Sequence, residues 1–157
     1  MDAHSEKLLA QIIRETRIAA LSTLRDEEPL SSMVAFVPLP DFSAFYIHVS
    51  RLAQHTVDMN KKKQVSLLIT ETDDGRPDPQ TLARVSIRGS AEMLENGAPG
   101  YTPIKELYLA RFPEAEQVFQ LEDFNFWRIR PKGGRFVAGF AKAYNITVET
   151  LQKVSER

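Results

Sequence analysis

His4, His48 and His55 are the only imidazoles in the chain, and there is no cysteine. Three scattered histidines with no HExxH or HxH spacing do not make a zinc site. The lack of cysteine also excludes disulfides, thiolate ligands and a cysteine nucleophile, and it suits a cytoplasmic protein. GxSxG, GxGxxG and GxxxxGK are missing as well, so the common hydrolase, dinucleotide and P-loop sites find no support. Carboxylates are plentiful but fall mostly in turns, where solvation explains them better than catalysis. Any chemistry here belongs to a bound cofactor, with the protein supplying position and charge.

Two stretches could hold such a group. The first is Tyr46 to Thr70, read as strand, helix, strand. Ser50 is expected to cap a helix from Arg51 to Lys61, and a helix start presents unpaired N–H groups to an anion. Arg51, Gln54 and His55 fall in its first turns, while His48 and Ser50 share a face of the incoming strand around Val49. The alternative is a capped surface helix with ordinary polar decoration. The second stretch, Asn125 to Val148, carries Arg128, Arg130, Lys132, Arg135 and Lys142 with no acid. Phe126, Trp127, Phe136, Phe140 and Tyr144 interleave with them, which suits a flat, anionic, conjugated ligand. The alternative is a half-buried hairpin with basic outward residues.

The elements that must position these groups follow from pattern. Ser5 to Thr16 reads as an amphipathic helix capped by Ser5. Arg17 to Leu24 reads as a strand covered on both faces, returning through Leu30 to Val37. Leu82 to Met93 alternates cleanly, with Val85, Ile87, Gly89, Ala91 and Met93 on one face and Arg84, Ser86, Arg88 and Ser90 on the other. Thr102-Pro103 opens a helix. Phe124 to Arg130 and Arg135 to Phe140 read as strands around a turn at Pro131 to Gly134. Several short strands in local pairings favour a closed or partly closed antiparallel barrel.

At 157 residues, 43% hydrophobic and 26% charged, the chain has the composition of one globular domain spanning 1–157. Its net charge of −1 gives no reason to expect nucleic acid or membrane as partner. The start lacks a signal-peptide pattern, and no apolar run is long enough to span a bilayer.

ALSTL at 20–24, PLSSMVAF at 29–36, YIHVSRLAQHTVDM at 46–59 and KKQVSLLI at 62–69, in this order, resemble the pyridoxamine 5′-phosphate oxidase-like, FMN-binding split-barrel superfamily. DPQTLARVSIRGSAEML at 78–94, YLARFPEA at 108–115 and FNFWRIRPKGGRFVAGFAKAY at 124–144 look more narrowly like its haem-utilisation branch. The resemblance implies a mainly β fold, a six- to seven-stranded antiparallel split barrel with flanking helices. A helix at 1–16, a barrel at 17–144 and a tail at 145–157 would make up the domain. It also implies a homodimer with FMN in two grooves at the subunit interface.

By that resemblance Ser32, Met33, Val34 and Ala35 lie along the flavin ring, and His48, Val49, Ser50 and Arg51 form the strand end and turn near the phosphate. Gln54 and His55 take the places of two phosphate-gripping cations, and Arg84 matches a ring-binding position. Ser32, Gln54 and His55 replace fixed positive charges, and the vitamin B6 site has no match. Haem-degrading members draw an iron-ligating histidine from a C-terminal extension, and no histidine follows His55 in this sequence. The expectation is an FMN-binding flavoprotein, an oxidoreductase of unknown substrate. The alternatives are a haem-binding protein of the haem-utilisation type and a non-enzymatic split-barrel binding module.

Overall fold

A computed structural model describes all 157 residues. Eight strands form one antiparallel sheet: β1 (Ile18–Arg25), β2 (Glu28–Ala35), β3 (Val37–Pro38), β4 (Phe45–Ser50), β5 (Gln64–Thr70), β6 (Arg84–Leu94), β7 (Phe124–Val137) and β8 (Ala143–Ile146). Seven run in the order β2-β1-β5-β6-β7-β4-β3, and β8 branches from the distal half of β7. Four α-helices flank them: α1 (Ala3–Glu15), α2 (Gln54–Lys61), α3 (Tyr101–Arg111) and α4 (Val148–Val154). Every pairing is antiparallel, so the mainly β split barrel expected from the sequence is the observed architecture. The strands flanking α2, β4 and β5, are not sheet neighbours, and the strand–helix–strand segment makes no parallel pair.

Alternation sets the inner face. Leu21, Ile47, Leu67, Ile69, Val85, Ile87 and Phe136 are fully buried there, joined by Leu9 and Ile13 of α1 and Leu151 and Val154 of α4. β4 and the first half of β7 are covered on their other side too. There Ala44, Tyr46 and Phe126 meet Tyr101, Ile104 and Tyr108 of α3 in a second, smaller core. β1 differs from expectation. Its inner residues Ala19, Leu21 and Thr23 are buried, but nothing covers the opposite side, where Ile18 is 51% exposed.

Several expected boundaries move, each for a local reason. Asp2, not Ser5, caps α1: its Oδ1 accepts the Ser5 N–H at 2.8 Å, and Ser5 is buried one turn in. Ser50 does not cap α2, which starts at Gln54 after Ala53 and has no side-chain cap. α3 begins at Tyr101, following Gly100 at φ +88. Pro131 to Gly134 is no turn, because β7 runs through it as a single 14-residue strand. Gly134 serves close packing there, since a Cβ would lie 2.0 Å from the Ser86 carbonyl oxygen. Asn145 and Ile146 belong to β8, so the sheet continues past residue 144, and α4 buries two side chains in the main core.

Candidate functional site

The sequence-predicted residues fall into two groups. The first lies where β4 meets α2. Ser50 Oγ donates to Asp123 Oδ2 at 2.6 Å and accepts the Leu52 N–H at 3.1 Å. The Arg51 N–H donates to the Asp123 carbonyl at 2.7 Å, and Thr56 Oγ1 donates to the Ser50 carbonyl at 2.7 Å. The junction is thus tied off internally, with a carboxylate on the serine expected to face a phosphate. Gln54 is occupied as well, its Nε2 donating to Asp58 Oδ1 at 2.8 Å.

Asp58 is the buried anchor of α2. It is 2% exposed, accepts Thr23 Oγ1 at 2.9 Å and lies 3.7 Å from Arg25 Nε. Burial pushes its carboxyl up, but bonds from Gln54 and Thr23 and the Arg25 charge outweigh this and hold it below the ordinary range. His55 is half-buried, and its Nε2 has no hydrogen-bond partner. Burial pushes its imidazole down, against an opposing pull from Asp58, so it supplies no fixed positive charge at neutral pH. Arg51 remains exposed as a cation at this junction, while exposed Arg25 is engaged by Asp58. Two carboxylates, a neutral imidazole and an occupied amide do not fit a phosphate dianion.

His48 points the other way from the barrel core, into an aromatic cage. Its ring stacks on Phe119 at 4.1 Å and 14°, with Phe126 at 4.7 Å and Tyr108 at 5.7 Å. Val49 is buried in the main core. Neither presents a group to solvent beside Ser50, although strand parity does place His48 and Ser50 on one side.

The second group lies on the bare outer face of β2, β1, β5 and β6. Register places Met33, Ala20, Leu68 and Ser86 side by side across the four strands. Arg84 and Arg88 follow the same parity on β6, two residues either side of Ser86. Inward neighbours Val85 and Ile87 are fully buried, which sends both arginines outward. A shallow groove of about 340 Å³ opens on this face, lined by Ile18, Ala20, Ser31, Ser32, Met33 and Leu68 among others. Met33 is 73% exposed and Leu68 41%. Val34, also expected along the ligand, is buried on the inner side, and Ala35 ends β2 opposite Ile18.

The floor of the face is small and polar. Ser66 and Ser86 Oγ are 3.2 Å apart, and Ser22 and Ser31 Oγ 3.4 Å apart. Arg84 Nη1 donates to the Gln80 and Leu82 carbonyls, leaving its other nitrogens free, while Arg88 is exposed without a protein partner. Arg135 lies in the same row as Ser86 and donates to Asn145 Oδ1 at 2.8 Å. The structure therefore brings Met33 and Arg84 onto one face and leaves Ser50, Arg51, Gln54 and His55 at the junction. Arg88 was legible in the alternation of β6. Asp123, 73 residues from Ser50, left no local signal.

No helix of the protein is long and apolar enough to cross a membrane. The chain is 35% identical over 116 residues to the chloroplast haem oxygenase HOZ of Arabidopsis thaliana, covering 74% of this chain and 34% of that protein. It thus spans about a third of that relative's length. It is 25% identical over 120 residues to the haem oxygenase HutZ of Vibrio cholerae, covering 75% of this chain and 68% of that one. Among solved structures, a haem-binding protein from Mycobacterium smegmatis superposes with a TM-score of 0.84 at 24% identity, over 98% of this chain and 62% of that one. That last likeness is one of fold. The sequence profile of pyridoxamine 5′-phosphate oxidase matches residues 5–138, and the chain belongs to that family.

Proposed function

We propose that this chain is a haem-binding protein of the haem-utilisation type, taking the tetrapyrrole on the outer face of β2-β1-β5-β6 with a second copy closing over it. The carrying observation is the pairing of an apolar groove at Ile18, Met33 and Leu68 with two outward arginines, Arg84 and Arg88. Haem is flat, apolar across its ring and anionic at one edge, and the face matches it in each respect. Small side chains at Ala20, Ser22 and Ser66 leave room for a ring to lie close to the sheet. Haem, when bound, supplies redox chemistry at iron. The residues of this chain bind it, orient its carboxylates and exclude water.

A ligand site normally encloses roughly 70–90% of its ligand's surface, and an open sheet face encloses one side only. The homodimer supplies the other wall and covers Ile18, Met33 and Leu68, which a monomer would leave as an exposed apolar patch. FMN is the second reading, favoured by the uncapped start of α2 beside exposed Arg51. Asp123 and Asp58 weigh against a phosphate there.

Titration of the purified protein with hemin and separately with FMN, followed by absorbance, tests the choice. A Soret band that grows to saturation is expected, and Arg84→Ala with Arg88→Ala should weaken hemin at least about tenfold, near 1.4 kcal/mol. Light scattering should report a dimer. Tighter uptake of FMN than of hemin, or hemin affinity indifferent to both arginines, would refute the reading.

A further inference from the structure

We infer that Met33 is the axial iron ligand of the haem held on this face. The inference rests on the haem reading above and adds the atom that meets the metal. The outer face offers no other good donor. His4 sits in the first turn of α1, His48 is enclosed by Phe119 and Phe126, and His55 belongs to α2 with Nε2 buried. There is no cysteine; of the four tyrosines, Tyr46, Tyr101 and Tyr108 belong to the second core, and Tyr144 packs against the main core with its hydroxyl on Asp2. Met33 alone projects a polarisable sulfur from the groove, and thioethers are established haem ligands.

Register supplies the geometry. Met33 and Ser86 occupy one row across the sheet, three interstrand steps apart. Arg84 and Arg88 stand two residues to either side of Ser86 on the same face. At about 4.8 Å per strand and 3.3 Å per residue, each arginine Cα lies about 16 Å from that of Met33. A ring parallel to the sheet, its iron over Met33 and its carboxylate edge toward β6, spans Ala20 and Leu68 and meets an arginine with each propionate. The thioether and the paired guanidinium groups thus fix both the position of the ring and its rotation.

The test uses the full chain loaded with hemin, read by absorbance and near-infrared magnetic circular dichroism in ferric and dithionite-reduced states. The parent should show a thioether–iron charge-transfer signature in the ferric state and a low-spin spectrum after reduction, because a soft ligand holds the softer ferrous iron more firmly still. Met33→Leu should still take up hemin, held by Arg84 and Arg88, but lose that signature and become high-spin. Met33→His should give an imidazole-type spectrum. Met93→Leu, at the far end of β6, should match the parent. Haem bound with identical spectra in parent and Met33→Leu overturns the ligand assignment and leaves the haem reading standing. No hemin uptake by the parent overturns both.

Discussion

His48 should make this protein acid-sensitive. The residue is 8% exposed, its ring stacked on Phe119 and walled by Phe126, Phe124 and Tyr108. Burial, with Lys105 nearby, lowers its pKa from 6.5 to about 4. Between those values the unfolded chain binds a proton that the folded chain does not, so stability falls as pH falls. The contribution is complete above the unfolded value and gone below about pH 4. The full span is on the order of 3 kcal/mol, at 1.36 kcal/mol per unit. At pH 5, about 1.5 units below the unfolded value, the loss is about 2 kcal/mol. Urea unfolding of the parent, His48→Phe and His48→Leu at pH 7.5 and pH 5 isolates it, because carboxylates elsewhere titrate in all three. The parent should lose about 2 kcal/mol more than either variant between the two pH values. Equal pH dependence in all three would show that the cage does not hold the imidazole neutral.

Asp58→Ala should destabilise by about 3 kcal/mol, because it strands the Thr23 hydroxyl and Gln54 amide beside α2; thermal unfolding checks it. Its carboxyl lies below the ordinary range, so the part of the parent's advantage that comes from the ionised form should be full near neutrality and be lost as pH drops through the folded value. Gly134→Ala should cost far more than Gly97→Ala. The first Cβ meets the Ser86 backbone at 2.0 Å, while the second meets nothing within 4 Å and bears only its φ of +81. Equal urea midpoints for the two variants would contradict the close approach of β7 to β6.

The sequence by itself determined the family and most of the elements, but not β8 or α4. Alternation at Val85, Ile87, Gly89 and Ala91 set the buried face of β6 and put Arg84 and Arg88 on the other, although Met93, assigned to the buried face, is 41% exposed near the strand's end. Such patterns are legible because side-chain direction has a fixed local period. The same locality misled at Pro131 to Gly134, where turn-type residues sit inside β7; their reason is the Ser86 backbone across the sheet. At the β4–α2 junction local rules gave a helix start open to anions. Only the fold brings Asp123 onto Ser50 and Asp58 under Gln54, engaging two of the polar groups that local pattern left open there. The outer face depended on tertiary structure as well. β1 read as covered on both sides, and its covering depends on which helices the sheet order leaves available. α1 and α2 pack on the inner side, and no helix lies over the outer face of β2, β1 and β5, so Met33, Leu68 and the two arginines of β6 share one open surface. Residues from four separate segments make that surface, and their spacing is a property of strand register, which no single segment encodes.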